Sequence, residues 1–217
     1  MTTIGVIGAG HIGRNFSIAA IERAYEIVIS NATGPETLTD LVGELGAKAS
    51  AATAAGAAAA GEFALLAIPL TGAGDLPIEP LAGKIVLTTC NYFPERDGHF
   101  ADIDAGKVTV PGYLQTRLPD SSVIRVFNHI DAANIVSDGT PEGTPNRRAL
   151  GYAGDDPAGK RLAADLYEEF GFDPVDVGGL DDAWRLDVDQ PTFVVRQNKQ
   201  ELLENLAKAR RHVTSTS

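Results

Sequence analysis

The sequence predicts an α/β fold: a doubly wound parallel Rossmann sheet with a small carboxyl-terminal α/β appendage. Three observations carry this prediction. An apolar run at the start leads straight into Gly8-x-Gly10-x-x-Gly13 and then into a helical pattern. Strand-like and helical segments then alternate along the amino-terminal half. Residues 63–68 are apolar throughout, and the segment 84–88 has an apolar centre at residues 85–87, which is typical of parallel strands buried on both faces.

The glycine pattern has the spacing of a dinucleotide pyrophosphate site. Gly8 permits the tight turn, Gly10 leaves room for a phosphate, and Gly13 lets the helix pack closely on the strand. Free N–H groups at the positive end of the helix dipole would bind the pyrophosphate. The flanking strand and helix, with a second strand at residues 26–30, favour dinucleotide binding over an empty Gly-rich turn. The predicted binding residues are Gly8, Ala9, Gly10, His11, Ile12 and Gly13.

The remaining amino-terminal elements are predicted to complete a sheet in the strand order 3-2-1-4-5-6. Pro35 at the start of a segment with one apolar face indicates a helix. Residues 47–61, almost all Ala, Gly, Ser and Thr, predict a short third strand and a helix packed tightly on the sheet, with disorder as the alternative. A helix is expected near residues 113–118, and residues 123–127 are the predicted sixth strand.

Residues 131–217 are predicted to form a small α/β domain beside the Rossmann domain of residues 1–130. A loop rich in Gly, Pro and Asp comes first. The later patterns predict helices at residues 157–170 and 200–211, strands at residues 149–153 and 174–177, and a weaker strand at residues 192–195. This part reads as an appendage and not as an independent catalytic domain.

Composition limits the partners of the chain. A formal net charge of -11 argues against an extended nucleic-acid surface, because phosphate neutralisation needs clustered Lys and Arg. No run approaches the roughly 18 apolar residues of a membrane helix, and the first strand begins too soon for a signal peptide. We therefore expect a cytoplasmic protein with a small-molecule substrate. Cys90 is the single cysteine, so no internal disulfide is expected, and no metal-ligand spacing stands out.

Ligands of open α/β folds bind where the carboxyl ends of the strands meet, so the residues after each strand are candidates for one site. The segment Ser30-Asn31-Ala32-Thr33 lacks the Asp or Glu that usually holds the ribose 2'-hydroxyl of NAD. Its neutral hydroxyl and amide donors would accept a 2'-phosphate, which a carboxylate would repel. NADP is therefore favoured over NAD, with an ordinary polar turn as the alternative.

Further strand ends face the same edge of the sheet. Ile68 and Pro69 form an apolar, rigid turn that suits a nicotinamide ring, although a helix-starting proline has the same pattern. Asn91 is followed by Tyr92 and Phe93, which indicate either a planar partner or a loop anchored by core aromatic residues.

His129 follows the predicted sixth strand, where a second substrate would meet the nicotinamide, and a structural histidine is the alternative. No Ser-His-Asp set or carboxylate pair stands out. That absence fits hydride transfer between two bound cofactors, because such a reaction needs alignment of rings more than a protein nucleophile.

Taken in order, these segments resemble the NADPH-dependent coenzyme F-420 reductase family. The matching segments are Gly8-Ala9-Gly10-His11-Ile12-Gly13, Ile29-Ser30-Asn31, Gly34-Pro35-Glu36-Thr37-Leu38, Ala67-Ile68-Pro69, Asn91 to Gly98, Val126 to Ile130, Ala153 to Asp156 and Val175 to Leu180. The resemblance implies hydride exchange between NADP(H) and a deazaflavin, in a homodimer. The deazaflavin would lie between the Rossmann domain and the carboxyl-terminal part.

The resemblance also implies roles for individual residues. The residues from Gly8 to Ile12 would hold the pyrophosphate, Ser30 to Thr33 the 2'-phosphate, and Ala67-Ile68-Pro69 the nicotinamide, with Asn91 as a further cofactor contact. Asn128 and Ile130, with His129 between them, would form the hydride-transfer face. Thr33 stands where the family commonly has an Arg.

Other functions are compatible with the same residues. F-420 carries a polyanionic tail, but the loop after Ile130 has no basic cluster apart from Arg147 and Arg148 to receive it, so a flavin or another small molecule is an alternative acceptor. A second possibility is an NAD(P)H-dependent reductase of an imine, a ketone or a chelated metal ion. A third is a non-catalytic dinucleotide sensor.

Overall fold

The computed structural model describes residues 1–211, which contain one eight-stranded sheet. The strands are β1 (Thr3–Ile7), β2 (Glu26–Ser30), β3 (Ala49–Ala51), β4 (Phe63–Leu66), β5 (Ile85–Thr88), β6 (Ser122–Arg125), β7 (Ala149–Gly154) and β8 (Asp173–Gly178). The helices are α1 (His11–Glu22), α2 (Thr39–Leu45), α3 (Ala54–Ala60), α4 (Ile78–Leu81), α5 (Pro94–Asp97), α6 (Ala101–Asp104), α7 (Val110–Arg117), α8 (Asn134–Ser137), α9 (Pro157–Phe170) and α10 (Lys199–Lys208). Short 3-10 helices span Pro35–Leu38, Leu70–Asp75 and Leu180–Leu186.

The strand order is β3-β2-β1-β4-β5-β6-β7-β8, so the fold class and the predicted order of the first six strands are confirmed. Strands β1 to β6 pair in parallel, as expected for strands joined by helical crossovers. β7 runs antiparallel to β6, and β8 runs parallel to β7. The carboxyl-terminal residues therefore extend the main sheet, and the division at residue 130 stays a prediction.

Each face of the sheet is covered by its own apolar core. On one face, Ile4 and Val6 of β1 belong to a core with Phe16 of α1 and Phe170 of α9, whose rings lie 5.2 Å apart. The core of the other face includes Leu114 of α7. Because both faces are covered, a ligand can reach the sheet at the edge where the strands end.

The Ala- and Gly-rich segment 47–61 folds into β3 and α3, as predicted. Ala57 and Ala58 of α3 are buried, and a side chain at Gly5 of β1 would overlap the carbonyl oxygen of Ala57. α3 therefore lies in direct backbone contact with β1, and this contact requires small residues on both elements.

Residues 192–195 do not form the predicted strand. They lie in turns and irregular structure, and the N–H of Val194 donates to the carbonyl of His129 at 3.0 Å. Val194 has a φ of +54°, a left-handed conformation that a β-branched residue rarely adopts. The β-branched composition predicted a strand, but residues 192–195 pair with none of the eight strands, and contacts with the loop after β6 determine the backbone conformation.

Two helices differ from their predicted bounds, because hydrogen bonds to side chains set where they begin or end. α7 begins at Val110, earlier than predicted, since the Thr109 hydroxyl accepts a hydrogen bond from the N–H of Gly112. α10 ends at Lys208, before the predicted residue 211, and the N–H of Arg210 donates instead to Gln190 Oε1 at 2.9 Å.

Candidate functional site

The three glycines of the loop between β1 and α1 occupy different environments. Gly8 has a φ of +112°, and a side chain there would overlap the carbonyl oxygen of Ala67. A side chain at Gly13 would overlap the carbonyl oxygen of Gly8, so α1 lies directly against the loop. At Gly10, an added Cβ would meet no atom within 4 Å. Gly10 therefore marks the open side of the loop, where a ligand can approach the backbone.

The amino terminus of α1 opens onto the same side. Gly10 is the N-cap residue of this 12-residue helix and makes no side-chain hydrogen bond to the first turn. The first turn contains no acidic residue. The leading N–H groups and the positive end of the helix dipole are therefore available to an anion. A dinucleotide diphosphate fits this position in charge and in space.

Two cavities flank the glycine loop along the edge formed by the strand ends. The β2-side cavity, of about 120 Å³, is lined by Gly8, Asn31, Ala32 and Ile68, among others. The β5-side cleft, of about 270 Å³, extends from the loop across the ends of β4 and β5. The predicted residues that line this cleft are Gly10, His11, Ile12, Ala67, Ile68, Pro69 and Asn91. Ile68 lines both cavities, so they adjoin at the end of β4.

The segment after β2 offers fewer free polar groups than its composition indicates. Ser30 is buried, and its hydroxyl donates to a carbonyl oxygen of β1 at 3.2 Å. Asn31 Oδ1 accepts from the N–H groups of Thr33 at 3.2 Å and Gly34 at 2.9 Å, which closes a turn. The exposed hydroxyl groups of Thr33 and Thr37 lie 3.0 Å apart. Thr37 Oγ1 also donates to the carbonyl of Gly34 at 2.7 Å and accepts from Asn31 Nδ2 at 2.8 Å, so this hydroxyl group, although exposed, is part of the same turn.

Asn91 at the end of β5 is held by the end of β6. Its Nδ2 donates to the carbonyl of Asn128 at 2.7 Å, and its Oδ1 accepts from Asn128 Nδ2 at 3.1 Å. Arg125 Nη2 donates to the same Oδ1 at 3.0 Å. The Asn91 amide therefore fixes the wall of the β5-side cleft by joining two strand ends.

A buried arginine, Arg125, supports this wall from the protein interior. Arg125 is fully buried and donates to Asp187 Oδ1 at 2.6 Å and to the carbonyl of Ala183 at 3.1 Å. Asn128 Nδ2 donates to the carbonyl of Leu186 at 2.6 Å, while Asn128 Oδ1 has no hydrogen-bond partner among residues 1–211. The carboxyl-terminal part thus holds the ends of β5 and β6 in place.

His129 has a structural environment and does not line the cleft. Its ring is fully buried, Nε2 accepts from the N–H of Gly151 at 2.9 Å, and Nδ1 donates to the carbonyl of Thr192 at 3.3 Å. Burial, together with the nearby positive charges of Arg148 and Arg125, lowers the pKa of His129 to about 4. The neutral ring has both nitrogens bound to the backbone, so the expected catalytic role is corrected to one of holding the loop against β7.

Ile130 is also buried in the core, so it too differs from its expected place on a hydride-transfer face. Asn128 is buried as well, but it contacts the cleft through Asn91. The backbone of this loop is strained, since Phe127 has a φ of +48° while its N–H donates to the Tyr167 hydroxyl at 2.8 Å. Such strain persists where tertiary contacts over-determine a segment, and it clusters at functional sites.

The cleft also contains a charged residue to which the sequence patterns gave no role. The Arg96 guanidinium lies 4.8 Å from the centre of the Phe93 ring and donates to Asp97 and to the carbonyl of Asn91. Both Phe93 and Arg96 line the cleft. The signal was present in the sequence, because both residues lie in the segment that follows β5, where residues at a strand end are candidates for the site.

Tyr92 and Phe93 have different roles, so each of the two interpretations, a planar partner or a loop anchored by aromatic residues, applies to one residue of the pair. The Tyr92 hydroxyl donates to Asp104 Oδ1 at 2.7 Å, and its ring meets Phe100 edge to face at 5.7 Å. Tyr92 therefore anchors the loop, whereas Phe93 lines the cleft.

Cys90 lies beneath the same strand end but offers no reactive group. It is buried, and burial raises the pKa of its thiol. Residues 1–211 hold no group of three or more His, Cys, Asp or Glu side chains placed to bind a metal ion. No helix within these residues has the length and apolar character to cross a membrane.

The open loop, the uncapped helix terminus and the adjoining cleft on a Rossmann sheet define a protein that binds a nicotinamide dinucleotide. Residues 3–92 match the sequence model of the family described as NADP oxidoreductase, coenzyme F420-dependent. The match covers less than half of the chain, so it shows that the amino-terminal part is similar to this family, and it supports NADP-dependent oxidoreduction.

Solved structures share the fold over most of the chain. A hypothetical protein from Sinorhizobium meliloti is 25% identical, with a TM-score of 0.78, over 92% of this chain and 96% of that chain. A protein from Arthrobacter sp. FB24, provisionally described as an F420-dependent NADP-reductase, is 22% identical, with a TM-score of 0.73, over 84% and 87%. A Streptomyces aurantiacus imine reductase is 21% identical, with a TM-score of 0.56, over 83% of this chain and 58% of that chain. Comparison with curated proteins gave no match.

Proposed function

We propose that this protein transfers a hydride between NADP(H) and a flat heterocyclic acceptor, either the deazaflavin coenzyme F-420 or a flavin. The observation that supports the proposal is the β5-side cleft, which begins at the glycine loop and continues past the ends of β4 and β5. A nicotinamide bound from the loop outward would lie against Ile68 and Pro69. The part of the cleft near Phe93 is then left for a second ring.

The residues of the site would act by binding and orientation. The amino terminus of α1 would bind the diphosphate, and Ile68 with Pro69 would hold a planar ring and exclude water from one side. Bound NADPH supplies two electrons and a proton as one hydride, and the acceptor takes a further proton from water. His129 cannot supply that proton, because it is neutral and both ring nitrogens are bound to backbone groups.

A preference for NADPH over NADH is part of the proposal. Residues 30–33 carry no carboxylate, so a 2'-phosphate there would meet the exposed hydroxyl group of Thr33, with the Glu36 carboxylate beside Gly34 as the nearby negative charge. One carboxylate, that of Asp75, does line the β2-side cavity. It belongs to the segment after β4 and not to residues 30–33, where the ribose 2'-position is expected. Because Thr33 stands where the family commonly has Arg, we expect a smaller preference than a charged pair would give.

The test is to mix the purified protein with NADPH or NADH and to follow nicotinamide oxidation with F-420, FMN or FAD as the acceptor. We expect turnover with F-420 or a flavin, and a lower KM for NADPH than for NADH. Faster use of NADH would contradict the role given to residues 30–33. If neither F-420 nor a flavin is reduced, the proposed reaction is wrong.

The alternative functions give different results in the same assay. A reductase of an imine, a ketone or a chelated metal ion would oxidise NADPH only when such a substrate is added. A dinucleotide sensor would bind NADPH tightly and reduce none of these acceptors. The homodimer that the family resemblance implies and the cytoplasmic location stay predictions.

A further inference from the structure

Arg96 is the residue of the β5-side cleft whose side chain carries a permanent positive charge. Its side chain is 47% exposed, in a chain with a formal net charge of -11. A cation that lines a cleft of a strongly acidic protein is a specific feature, since the overall field repels anions. The cleft therefore has one charged position at which an anionic group is favoured.

The guanidinium of Arg96 is held in a fixed orientation. Its Nε and Nη2 donate to the two oxygens of Asp97, each at 2.8 Å, and Nη2 also donates to the carbonyl of Asn91 at 3.0 Å. The Phe93 ring packs against its flat face. These contacts use three of the five N–H donors. The two N–H donors on Nη1 have no hydrogen-bond partner within residues 1–211. Two donors of an oriented cation thus remain for a ligand.

The position of Arg96 separates it from the diphosphate site. The sheet order β1-β4-β5 places the residues after β5 two strands away from the glycine loop, a distance of about 10 Å at the usual strand spacing. A dinucleotide diphosphate would meet the amino terminus of α1, at the end of β1. Arg96 and the glycine loop line the same cleft, and with a nicotinamide against Ile68 and Pro69 between them, Arg96 would lie on the side of the second substrate.

Three other arginines, one in β6 and two just before β7, are not free to bind a ligand. Arg125, Arg147 and Arg148 are all buried, and each is paired with at least one carboxylate. Arg147 and Arg148 therefore cannot receive an anionic tail without losing their own partners.

We propose that Arg96 recognises an anionic group of the second substrate, so that redox acceptors with a phosphoryl or carboxylate group are used in preference to uncharged acceptors with the same ring. This inference rests on the proposed hydride transfer and names the acceptor class for that site. Arg96 acts as a specificity-determining residue: it binds the charged group and takes no part in the transfer of electrons.

Asp97 determines how the variants are designed. Burial opposes the ionisation of Asp97, but hydrogen bonds from Arg96 and from the N–H of Phe93 outweigh it, and the pKa of this carboxyl lies below its ordinary value. Arg96→Gln alone would leave a buried carboxylate without its cation. The double variant Arg96→Gln with Asp97→Asn removes both charges and keeps an acceptor for the Phe93 N–H.

The test uses two pairs of acceptors that share a ring and differ in charge. One pair is F-420 and its deazaflavin with an uncharged ribityl chain, and the other is FMN and riboflavin. KM and kcat are measured for each acceptor at saturating NADPH, and the NADPH Kd is measured by titration. Variants are Arg96→Gln, the double variant and Arg96→Lys, with Arg161→Gln on the exposed face of α9 as a control of equal charge change.

We expect Arg96→Gln and the double variant to raise the KM of the charged acceptors by about 10- to 100-fold, the usual effect of a lost charge-assisted hydrogen bond. The KM of the neutral acceptors, the NADPH Kd and the Arg161→Gln control should stay unchanged. Arg96→Lys should recover part of the effect, because it keeps the charge and loses the planar fork.

Two results would overturn the inference while the proposed function stands. Equal losses for the charged and neutral members of a pair would show that Arg96 supports the fold of the cleft. A weaker NADPH Kd in the Arg96 variants would assign the residue to the phosphates of the cofactor. If wild-type protein binds NADPH and reduces no member of either pair, the proposed function itself fails, and the inference fails with it.

Discussion

The three glycines of one sequence motif meet two different physical requirements. A side chain at Gly8 or Gly13 would overlap backbone atoms of the protein, so the fold itself requires glycine at these positions. Gly10 has a φ of -72°, which any residue can adopt, and open space around it. A requirement for glycine at position 10 therefore comes from a ligand and not from the fold.

Gly10→Val is expected to weaken NADPH binding, whereas Gly13→Val is expected to lower the stability of the fold. Gly10→Val should fold with a Tm close to that of the wild type and bind NADPH at least about 10-fold more weakly, because its side chain fills the space of the diphosphate. Gly13→Val should lower the Tm strongly, since α1 must move away from the loop. Circular dichroism and an NADPH titration measure the two effects. Unchanged NADPH affinity in folded Gly10→Val would refute the predicted dinucleotide site.

His129 makes a pH-dependent contribution to stability. Its native pKa is about 4, whereas an imidazole in an unfolded chain has a pKa near 6.5. Below pH 6.5 the unfolded state binds a proton that the native state does not. The free energy of unfolding therefore falls as the pH falls from about 6.5 to about 4, by an amount that approaches about 3 kcal/mol.

His129→Gln isolates this contribution, because the amide offers one acceptor for Gly151 and one donor for Thr192. The free energy of unfolding, measured by urea titration between pH 4 and pH 7, should depend less steeply on pH in the variant than in the wild type. Other groups titrate equally in both proteins and cancel in the difference. Parallel curves would mean that His129 takes up its proton as easily in the native state as in the unfolded chain.

At the scale of elements, the contact between α3 and β1 has no room for a side chain. Gly5→Ala would place a Cβ against the carbonyl oxygen of Ala57, and we expect a loss of about 1–3 kcal/mol in the free energy of unfolding. Gly43→Ala on the exposed face of α2 is the matched control, because an added Cβ there meets nothing within 4 Å. The control should be neutral or stabilise by up to about 1 kcal/mol. Equal values from urea unfolding of the two variants would contradict the close packing.

The elements that the sequence predicted best have both an apolar pattern and explicit end signals. α9 spans the predicted residues because Asp156 accepts from the N–H groups of its first turn, Pro157 occupies its first position, and Gly171 ends it with a φ of +89°. Residues 192–195 have a strand-like composition but pair with none of the eight strands. Their conformation depends on His129, more than sixty residues away, which no local pattern records.

At the scale of the whole molecule, the two predicted parts of the chain share one core. β7 pairs with β6, and the Phe127 ring meets Tyr167 of α9 edge to face at 4.6 Å. Arg125 of β6 is paired with Asp187. The carboxyl-terminal residues therefore contribute both to the sheet and to the support of the cleft.

We expect the two parts to unfold together. Trp184 is the single tryptophan, so its fluorescence reports on the carboxyl-terminal part, while far-ultraviolet circular dichroism reports on the whole chain. The two urea transitions should coincide, because separating the parts would expose the core shared by α1 and α9. A fluorescence transition at lower urea would instead support an independent domain in residues 131–217.

The sequence by itself determined the Rossmann class, the order of the first six strands and the glycine loop. These follow from patterns between neighbouring residues, such as continuous apolar runs and glycines at fixed spacing. The tertiary structure decided which polar groups are free. Ser30 and His129 have the residue types of a binding site, but distant backbone groups occupy their donors and acceptors. Arg96 faces the cleft because Asp97 and Phe93 orient it there, and burial and partners of this kind are set by the packing of elements.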